Sequence, residues 1–345
     1  GKDKLKTFTI GFNESAYDER QFARRVAEYI GVDHHEKVLD SWEPDTLKSL
    51  LLERVGQPFS DSSILPTAEV SRLAGAEVKV ALSGDGADEL FCGYQRYKAR
   101  AILNVYRCVP APIRILMRKW VSLLPEEDVH HSRSMLKKLH LFMDTMDRRD
   151  AEECYIAPVF FSNSVYKKLF PQLQSKSHVF TPPWISEMGL SDIKRMMLAD
   201  SFVYLPQDIH TKVDRASMAH SLETRAPFMD TNVVEFALSL PLQWGFSWRQ
   251  NKKILVDTFG DFLPSDIWAR RKQGFGVPIS TWIRQNIGEE LEVLVNNMSG
   301  NIPFDKNEVL GMLQAHRDQK RDYGSRLWIF YVYLVWRNEC SFLDG

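Results

Sequence analysis

The sequence predicts an α/β fold in which a doubly wound parallel sheet is followed by a mainly helical lobe. Over roughly the first hundred residues, short β-rich apolar runs alternate with segments whose apolar residues recur at helical spacing. This alternation is typical of βαβ units in a parallel sheet with helices on both faces. After about Lys98, long helical patterns dominate and convincing strands are few. We therefore predict a partial α/β domain over residues 1–100 and a mainly helical part of the same domain over 101–345.

The first part of the chain contains six predicted elements. Apolar runs rich in β-branched residues predict the strands, and apolar positions at helical spacing predict the helices. In order, the elements are strand Thr7–Phe12, helix Tyr17–Tyr29, strand His34–Leu39, helix Pro44–Val55, helix Pro66–Leu73 and strand Val78–Leu82. A polar loop, Gly56–Ser63, separates the last two helices. Because such sheets bind ligands at the carboxyl ends of their strands, we expect Asp61 and Ser62 of this loop near a ligand.

The rest of the chain is predicted to be helical with one long loop. The predicted helices are Lys98–Leu124 with a break around Pro110–Pro112, Ser132–Met146, several between Ile185 and Leu240, Gln250–Phe259, Ser280–Val295 and Arg326–Cys340. Gln172–Pro183 is polar and poorly patterned, which is typical of a loop. The longest apolar run, Leu327–Trp336, is far shorter than the ~20 residues that a membrane-spanning helix needs, and it indicates a buried helix.

Composition argues against several classes of function. The chain has 44 basic and 45 acidic side chains, so its net charge does not favour nucleic acid or an anionic membrane as a partner. Its four cysteines form no CxxC pair, which argues against a zinc site and a disulfide framework. Since no signal peptide or membrane span is recognisable, we expect a soluble cytoplasmic protein.

The sharpest local signal is a glycine-rich turn, Ser83–Glu89 (SGDGADE), which lies between a predicted strand and the predicted helix Leu90–Arg100. We call it the acidic turn because it carries three carboxylates. Backbone N–H groups at such a turn favour an anion, and carboxylates beside a polyphosphate make sense if Mg²⁺ lies between them. An ordinary capped helix with acids in its first turn has the same residue pattern. The turn alone leaves both interpretations open.

Longer motifs around the acidic turn resemble the asparagine synthetase family. Leu82–Tyr94 (LSGDGADELFCGY) is similar to a signature of that family. The resemblance continues in the same order through FTIGF, GVDHHE, GQPFSDSSILPT, the segment Tyr204–Asp230 and RRKQGFGVPI at Arg270–Ile279. Several long motifs in one order are far more specific than a single short motif. The resemblance covers most of the chain and is weakest over Ala101–Ser191.

The resemblance implies the synthetase domain of a glutamine-dependent asparagine synthetase, an ATP pyrophosphatase with a fold like that of the adenine nucleotide alpha hydrolases. Such a domain activates the aspartate side chain as an acyl-adenylate and lets ammonia displace AMP. The expected ligands are therefore ATP, Mg²⁺, aspartate and glutamine-derived ammonia, and a homodimer is left open. The family's N-terminal glutaminase domain and SGGxDS pyrophosphate loop are absent from this sequence. We therefore expect a truncated chain that binds ATP poorly alone.

The resemblance also implies roles for residues that hold the nucleotide. Ile10 would contact adenine through its backbone, although a core position in a strand is an equally ordinary interpretation. Ser83, Gly84 and Gly86 would hold the nucleotide through main-chain and hydroxyl groups. Asp88 would ligate the Mg²⁺ bound to pyrophosphate, and a surface acid at a helix start is the alternative.

Three further residues have predicted catalytic roles by the same resemblance. Asp85 stands where many family members have glutamate, and it would orient the amine nucleophile or accept its proton. Lys272 would stabilise the charge that develops in the transition states, with a solvated basic cluster as the alternative. Asp208 lies one helical turn before Lys212 and would hold Lys272 in place. Other charged residues of this segment, such as Asp214, are expected to be structural.

Three functions fit these motifs. The first is asparagine synthesis. The second keeps the chemistry but changes the carboxylate, because β-lactam synthetases and amidotransferases of sugar or peptide biosynthesis share the motifs. The third is a non-catalytic assembly module, which the missing loop motivates. Asp85, Asp88 and Lys272 argue against the third function, because a scaffold has no need of them.

Overall fold

The computed structural model describes residues 5–39, 44–123, 166, 168–172, 182–269, 276–298 and 302–339. Two compact units make up the chain. The first comprises residues 1–56, 61–98 and 197–277, and the second comprises residues 57–60, 99–196 and 278–345. The first unit thus combines the start of the chain with a segment that returns from its helical part. The predicted division at residue 100 follows the order of the chain instead, and it stays a prediction.

The first unit contains two pairs of parallel strands in its described residues. β1 (Lys6–Gly11) pairs with β2 (Asp33–Val38), and β3 (Val80–Leu82) pairs with β4 (Glu223–Arg225). Parallel neighbours need a crossover, and α1 (Arg20–Ile30) supplies it between β1 and β2. The prediction of a mixed α/β chain with parallel strands is therefore confirmed. Among the described residues the two pairs do not join, so a single doubly wound sheet stays a prediction.

β4 corrects the expectation that the described part of residues 185–240 contains helices without strands. Its three residues, Glu-Thr-Arg, contain no apolar run, so the hydrophobic pattern could not reveal a strand. β4 forms because its backbone pairs with that of β3. The Glu223 N–H donates to the carbonyl of Lys79 at 3.0 Å, and the Ser83 N–H donates to the carbonyl of Arg225 at 2.8 Å. The returning segment is thereby tied to the strand that leads into the acidic turn.

Helices form most of the other described elements. In chain order they are α2 (Pro44–Ser49), continuing as a π-helix (Leu50–Val55), α3 (Ile64–Gly75), α4 (Ala87–Leu90), α5 (Gln95–Tyr106), α6 (Ala111–Ser122), α7 (Pro183–Glu187), α8 (Asp192–Ala199), continuing as a π-helix (Asp200–His210), α9 (Thr211–Met218), α10 (Thr231–Ser239), α11 (Leu242–Gly245), α12 (Lys253–Phe259), α13 (Ser265–Ala269), α14 (Ile279–Trp282), continuing as a π-helix (Ile283–Ile287), α15 (Gly288–Asn297), α16 (Lys306–Arg317) and α17 (Gly324–Glu339). The predicted helix Ser132–Met146 and most of the predicted loop Gln172–Pro183 lie outside the described residues.

Two features of the helices shape the region around the acidic turn. The predicted helix Leu90–Arg100 is wrong as one element, because α4 ends at Leu90 and α5 begins only at Gln95. Between them Cys92 has a φ of 56°, a left-handed conformation that no right-handed helix continues through. In addition, α3 packs against both β1 and α9. α3 and the returning segment therefore meet within the first unit.

The last helix of the second unit confirms the predicted burial of the C-terminal apolar run. In α17, Leu327, Trp328, Tyr331 and Val332 are each no more than 2% exposed. The Trp328 indole N–H donates to the carbonyl of Ser60 at 2.9 Å. Across the described ranges, no helix combines the length and the apolar character that crossing a bilayer requires.

Candidate active site

The acidic turn follows β3 directly, and its two glycines serve different needs. Ser83 Oγ donates to Asp85 Oδ2 at 2.8 Å, which fixes that carboxylate near the start of the turn. A Cβ at Gly84 would meet no heavy atom within 4 Å, so the backbone there is open to an approaching group. Gly86 has a φ of 89°, and a Cβ there would overlap the side chain of Met229. Glycine at position 86 is thus required by the fold, whereas position 84 has room for a ligand.

Asp88 lies beside a lysine that the sequence did not single out. Lys252 Nζ is 3.2 Å from Asp88 Oδ1, and the two side chains are 26% and 17% exposed. Lys252 has a φ of 51°, which is a strained backbone conformation for a residue with a side chain. A Cβ at Gly93 would overlap both Asp88 and Lys252. The missing side chain at position 93 therefore lets the carboxylate and the ammonium meet next to the acidic turn.

The donor set around Asp88 fits a metal ion that is shared with phosphates. Within the described ranges, no group of three or more His, Cys, Asp or Glu side chains is arranged to hold a metal by itself. Mg²⁺ is usually bound by only one or two carboxylates together with the phosphates of a substrate. The partly exposed carboxylate of Asp88 meets that requirement, and the adjacent Lys252 places a positive charge beside it.

Glu89 is an internal acid and does not join the other two carboxylates of the turn. It is 1% exposed, and the Tyr94 hydroxyl donates to Glu89 Oε1. Burial raises the pKa of Glu89 above its usual value, and burial together with the neighbouring Glu89 raises the pKa of Tyr94. The acidic turn thus separates its carboxylates, with Asp85 next to Ser83, Asp88 next to Lys252 and Glu89 next to Tyr94.

Arg96 contacts two tyrosine rings, one close to the acidic turn and one on the returning segment. Its Cζ is 4.1 Å from the ring centre of Tyr94 and 4.8 Å from that of Tyr204, within the range of cation–π attraction. Its Nη2 and Nε donate to Asp200 at 2.6 and 3.1 Å. Asp200 is fully buried and also accepts from the Tyr97 hydroxyl at 2.5 Å. We call Arg96, Asp200 and Tyr97 the arginine clamp, because they hold the two tyrosine rings in place.

A long π-helix, Asp200–His210, connects this clamp to a second acidic residue. Its side chains Asp200 and Tyr204 both contact Arg96. One turn further on, Asp208 accepts a hydrogen bond from the Tyr204 hydroxyl. π-Helical segments are rare and occur frequently at functional sites. This irregular segment therefore presents an acid, a tyrosine and a second acid along one side.

Asp208 belongs to a half-buried cluster that includes Asp61, Lys212 and Ser63. Lys212 Nζ is 2.8 Å from both Asp61 Oδ2 and Ser63 Oγ. Ser63 donates its backbone N–H and its hydroxyl to Asp61 Oδ1, at 2.9 and 2.7 Å. Asp208 lies within hydrogen-bonding reach of Asp61 and accepts from Tyr204. We call Asp61, Ser63, Lys212 and Asp208 the carboxylate pair cluster.

The two carboxyls of this cluster differ in proton affinity. Burial raises the pKa of Asp208 to about 6, and the negative charge of Asp61 acts in the same direction. Burial also opposes the ionisation of Asp61, but the Lys212 ammonium and the hydrogen bonds from Ser63 hold the pKa of Asp61 below its usual value. Asp61 is thus ionised at neutral pH, and Asp208 is the member that changes its charge a little below neutrality.

Most predicted site residues lie in the described part of the first unit. Those residues are Ile10, Ser83, Gly84, Asp85, Gly86, Asp88 and Asp208. Ile10 is 4% exposed near the end of β1, so it is a core residue, and its contact with adenine stays a prediction. Lys272 lies outside the described residues, so its role and its contact with Asp208 also stay predictions. Asp214, expected to be structural, lies 3.7 Å from Arg215 in an exposed ion pair.

Sequence reasoning missed the arginine clamp and Lys252. Arg96 and Asp200 are 104 positions apart, and no hydrophobic period connects residues at such a separation. Lys252 and its neighbour Lys253 carry no distinguishing local signal in the sequence. The sequence did contain a signal for part of the carboxylate pair cluster. The motif that begins at Tyr204 includes both Asp208 and Lys212.

Comparison with known proteins identifies the family. The model of the family described as asparagine synthase matches residues 1–338. A Mycobacterium bovis protein named "Putative asparagine synthetase (glutamine-hydrolyzing)" is 32% identical over 340 residues, which cover 96% of this chain and 50% of that protein. Asparagine synthetase (glutamine-hydrolyzing) 1 of Bacillus subtilis is 27% identical over 97% of this chain and 52% of its own length. "Amidase chry2" of Gibberella zeae is 23% identical over 84% of this chain and 46% of its own length. The chain spans about half the length of the curated relatives it matches. It belongs to the asparagine synthase family.

Proposed function

We propose that this chain is the ATP-using part of an enzyme that makes asparagine from aspartate and ammonia. The aspartate side-chain carboxylate attacks the α-phosphorus of ATP, which gives an aspartyl-adenylate and pyrophosphate. Ammonia, released from glutamine in the full-length enzyme, attacks the acyl carbon, and AMP leaves with the electron pair of the broken C–O bond. The observation that carries this proposal is the Asp88–Lys252 pair beside the acidic turn, in a chain of the asparagine synthase family.

The residues around the acidic turn suit a nucleotide polyphosphate. Asp88 would hold Mg²⁺, which when bound neutralises phosphate charge. Lys252 adds a second positive charge 3.2 Å from that carboxylate. The open space at Gly84 lets a phosphate approach the backbone, and the Ser83 hydroxyl lies next to it. The backbone of Ile10 would contact adenine.

Asp85, Lys272 and Asp208 complete the proposed catalytic set. The Ser83 hydroxyl fixes the carboxylate of Asp85, which would orient the incoming amine. The Lys272 ammonium would stabilise negative charge in the adenylation and amide-forming transition states, since charge placed in advance is usually a large catalytic contribution. Asp208 is the buried carboxylate whose charge changes near neutrality.

A different carboxylate substrate is the second candidate. The fungal relative that covers 84% of this chain carries the name of an amidase, so relatives of this chain do not share one activity by name. None of the side chains described around the acidic turn distinguishes aspartate from another acid. We rank aspartate first because the relatives with the greatest coverage are named asparagine synthetases.

Pyrophosphate release from the full-length protein that contains this chain tests the proposal. The protein is supplied with ATP, Mg²⁺, ammonia and aspartate, and pyrophosphate and asparagine are measured. We expect release that requires aspartate. Release only with another carboxylate would favour the second candidate, and no release with any carboxylate would favour a non-catalytic assembly module.

A substitution of Lys272 tests the catalytic set. We expect Lys272→Ala to abolish pyrophosphate release while the circular dichroism spectrum and the unfolding midpoint remain those of the unsubstituted protein. The matched control is Arg271→Ala, which removes a neighbouring positive charge and should leave the rate nearly unchanged. A wild-type rate in Lys272→Ala would remove this residue from the proposed set.

A further inference from the structure

Formation of an amide from ammonia releases a proton that a nearby group must accept. The attacking nitrogen begins with three hydrogens and ends with two. A side chain accepts such a proton best when its pKa lies near the working pH. The three carboxylates of the acidic turn are already engaged, since Asp85 accepts from Ser83, Asp88 meets Lys252 and Glu89 is enclosed with Tyr94. Of its two predicted roles, Asp85 keeps that of orienting the amine. The carboxylate pair cluster offers a different environment.

Charged and titratable groups approach Asp208 from several elements. Asp61 comes from the loop before α3, Lys212 from α9 and Tyr204 from the π-helix of Asp208 itself. Arg96, from α5, lies 4.8 Å from the centre of the Tyr204 ring. The ammonium of Lys212 is 2.8 Å from the Asp61 carboxylate, so its positive charge stabilises the ionised form of Asp61. Asp208 therefore borders a carboxylate that is already ionised.

The cluster is connected to the acidic turn through two aromatic rings. The Tyr204 ring meets the Tyr94 ring edge to face, with 6.2 Å between their centres. The Tyr94 hydroxyl reaches Glu89 of the turn, and the Tyr204 hydroxyl reaches Asp208. Because the arginine clamp holds both rings, the position of Asp208 relative to the turn is set by buried contacts.

We propose that Asp61 and Lys212 form a half-buried ion pair that positions Asp208, so that Asp208 accepts the proton which the attacking amine loses. The Lys212–Asp61 contact keeps Asp61 negative, and this negative charge increases the affinity of Asp208 for a proton. Asp61, Ser63 and Lys212 are positioning residues in this scheme, and Asp208 is the group that takes part in the reaction.

The proposed step balances as a simple proton transfer. The nitrogen lone pair forms the C–N bond, and an N–H bond then breaks with its electron pair left on nitrogen. The proton goes to a carboxylate oxygen of Asp208, and AMP leaves with the electrons of the C–O bond. This inference rests on the proposed function, because it assigns the proton of that amide-forming step.

Separate assays of adenylation and of amide formation distinguish a proton acceptor from a residue that serves adenylation or the fold. In the full-length protein, adenylation is measured by aspartate-dependent exchange between ATP and labelled pyrophosphate without ammonia, and amide formation is measured with ammonia. We expect Asp208→Asn to lose about 10²–10⁴-fold in amide formation, the usual contribution of a positioned proton acceptor, and to retain exchange. Asp214→Asn, on the neighbouring helix α9, is the matched control and should retain both.

Each other outcome decides against the inference. Wild-type amide formation in Asp208→Asn would overturn it. Loss of exchange together with amide formation would also overturn it, because Asp208 would then serve adenylation or the fold. If the unsubstituted protein shows no exchange with aspartate or another acid, the proposed function fails, and this inference fails with it.

A pH profile tests the positioning residues. Since Asp208 must be ionised to accept a proton, amide formation measured at a constant concentration of unprotonated ammonia should rise with pH through the pKa of Asp208. Asp61→Asn removes the neighbouring negative charge and frees Lys212 to face Asp208, so the rise should move to lower pH. An unchanged profile in an Asp61→Asn protein that retains exchange would overturn the role of Asp61. Asp208→Ala supplied with formate gives a second measurement, in which restored amide formation is expected and no restoration counts against Asp208.

Discussion

Replacing Asp208 by asparagine should stabilise the protein at neutral pH even though it removes the proposed proton acceptor. Burial raises the pKa of this carboxyl from 3.8 to about 6. Below about pH 3 the carboxyl is largely protonated in both the folded and the unfolded chain, so its burial costs little. As pH rises from about 4 to about 6, the unfolded chain releases the proton more readily than the folded protein, and stability falls. Above about pH 6 the loss is constant.

The size of the effect follows from the difference between the two pKa values. Each tenfold change in proton affinity corresponds to about 1.4 kcal/mol, so the ionised Asp208 costs about 3 kcal/mol of folding free energy at pH 8 and about half of that at pH 5. Asparagine remains neutral and its amide can donate to Asp61. We therefore expect Asp208→Asn to be more stable than the unsubstituted protein by up to about 3 kcal/mol at pH 8.

Urea unfolding at a series of pH values measures this difference. The stability gain of Asp208→Asn should grow between pH 5 and pH 8, with little change in the denaturant dependence of the unfolding free energy. The control is Asp214→Asn, whose side chain is 65% exposed and which should show no comparable pH dependence. A gain that does not change with pH, or a variant that is less stable at pH 8, would refute the burial of Asp208 beside an ionised Asp61.

Three further predictions concern the acidic turn and the clamp. Gly93→Ala should sharply reduce pyrophosphate release, because its Cβ would overlap Asp88 and Lys252. Gly311→Ala, on α16, is the matched control, since a Cβ there meets no heavy atom within 4 Å and the residue lies outside the proposed site. Lys252→Ala should raise the KM for ATP, whereas Lys252→Arg should retain more of the affinity; equal values in both variants would exclude a phosphate contact. Arg96→Met should lower the free energy of unfolding by about 3–5 kcal/mol, because it leaves the buried charge of Asp200 without the guanidinium. The double variant with Asp200→Asn should recover part of that loss, and additive losses would show that the two side chains are not coupled.

The acidic turn shows which features the local sequence predicts. Val78–Leu82 is a short run of β-branched and apolar residues, and Gly84 and Gly86 follow it at once, so a strand and a turn were predicted at the right place. The sequence also shows directly that the turn carries three carboxylates. The sequence did not predict that these carboxylates would have separate partners. Glu89 is buried against Tyr94, and this contact depends on the break at Cys92 between α4 and α5.

The partners of the predicted site residues come from distant parts of the chain. Asp88 meets Lys252, and Asp61 meets Lys212 across 151 positions. A sequence pattern records the spacing of residues along one helix or strand, whereas these pairs depend on which elements pack together. The Tyr204–Asp230 motif indicated that its segment matters, but it did not indicate that Asp208 borders Asp61.

Local chemistry was therefore enough to identify β1, β2, β3 and many of the described helices, the glycine turn with its acids and the family of the chain, because backbone preferences and motif order act over short distances. The assembled fold determined which charge faces which, that a three-residue strand forms at Glu223–Arg225, and that Asp208 has an altered affinity for a proton. These properties arise from burial and from contacts between residues more than a hundred positions apart, and such contacts exist only once the chain has folded.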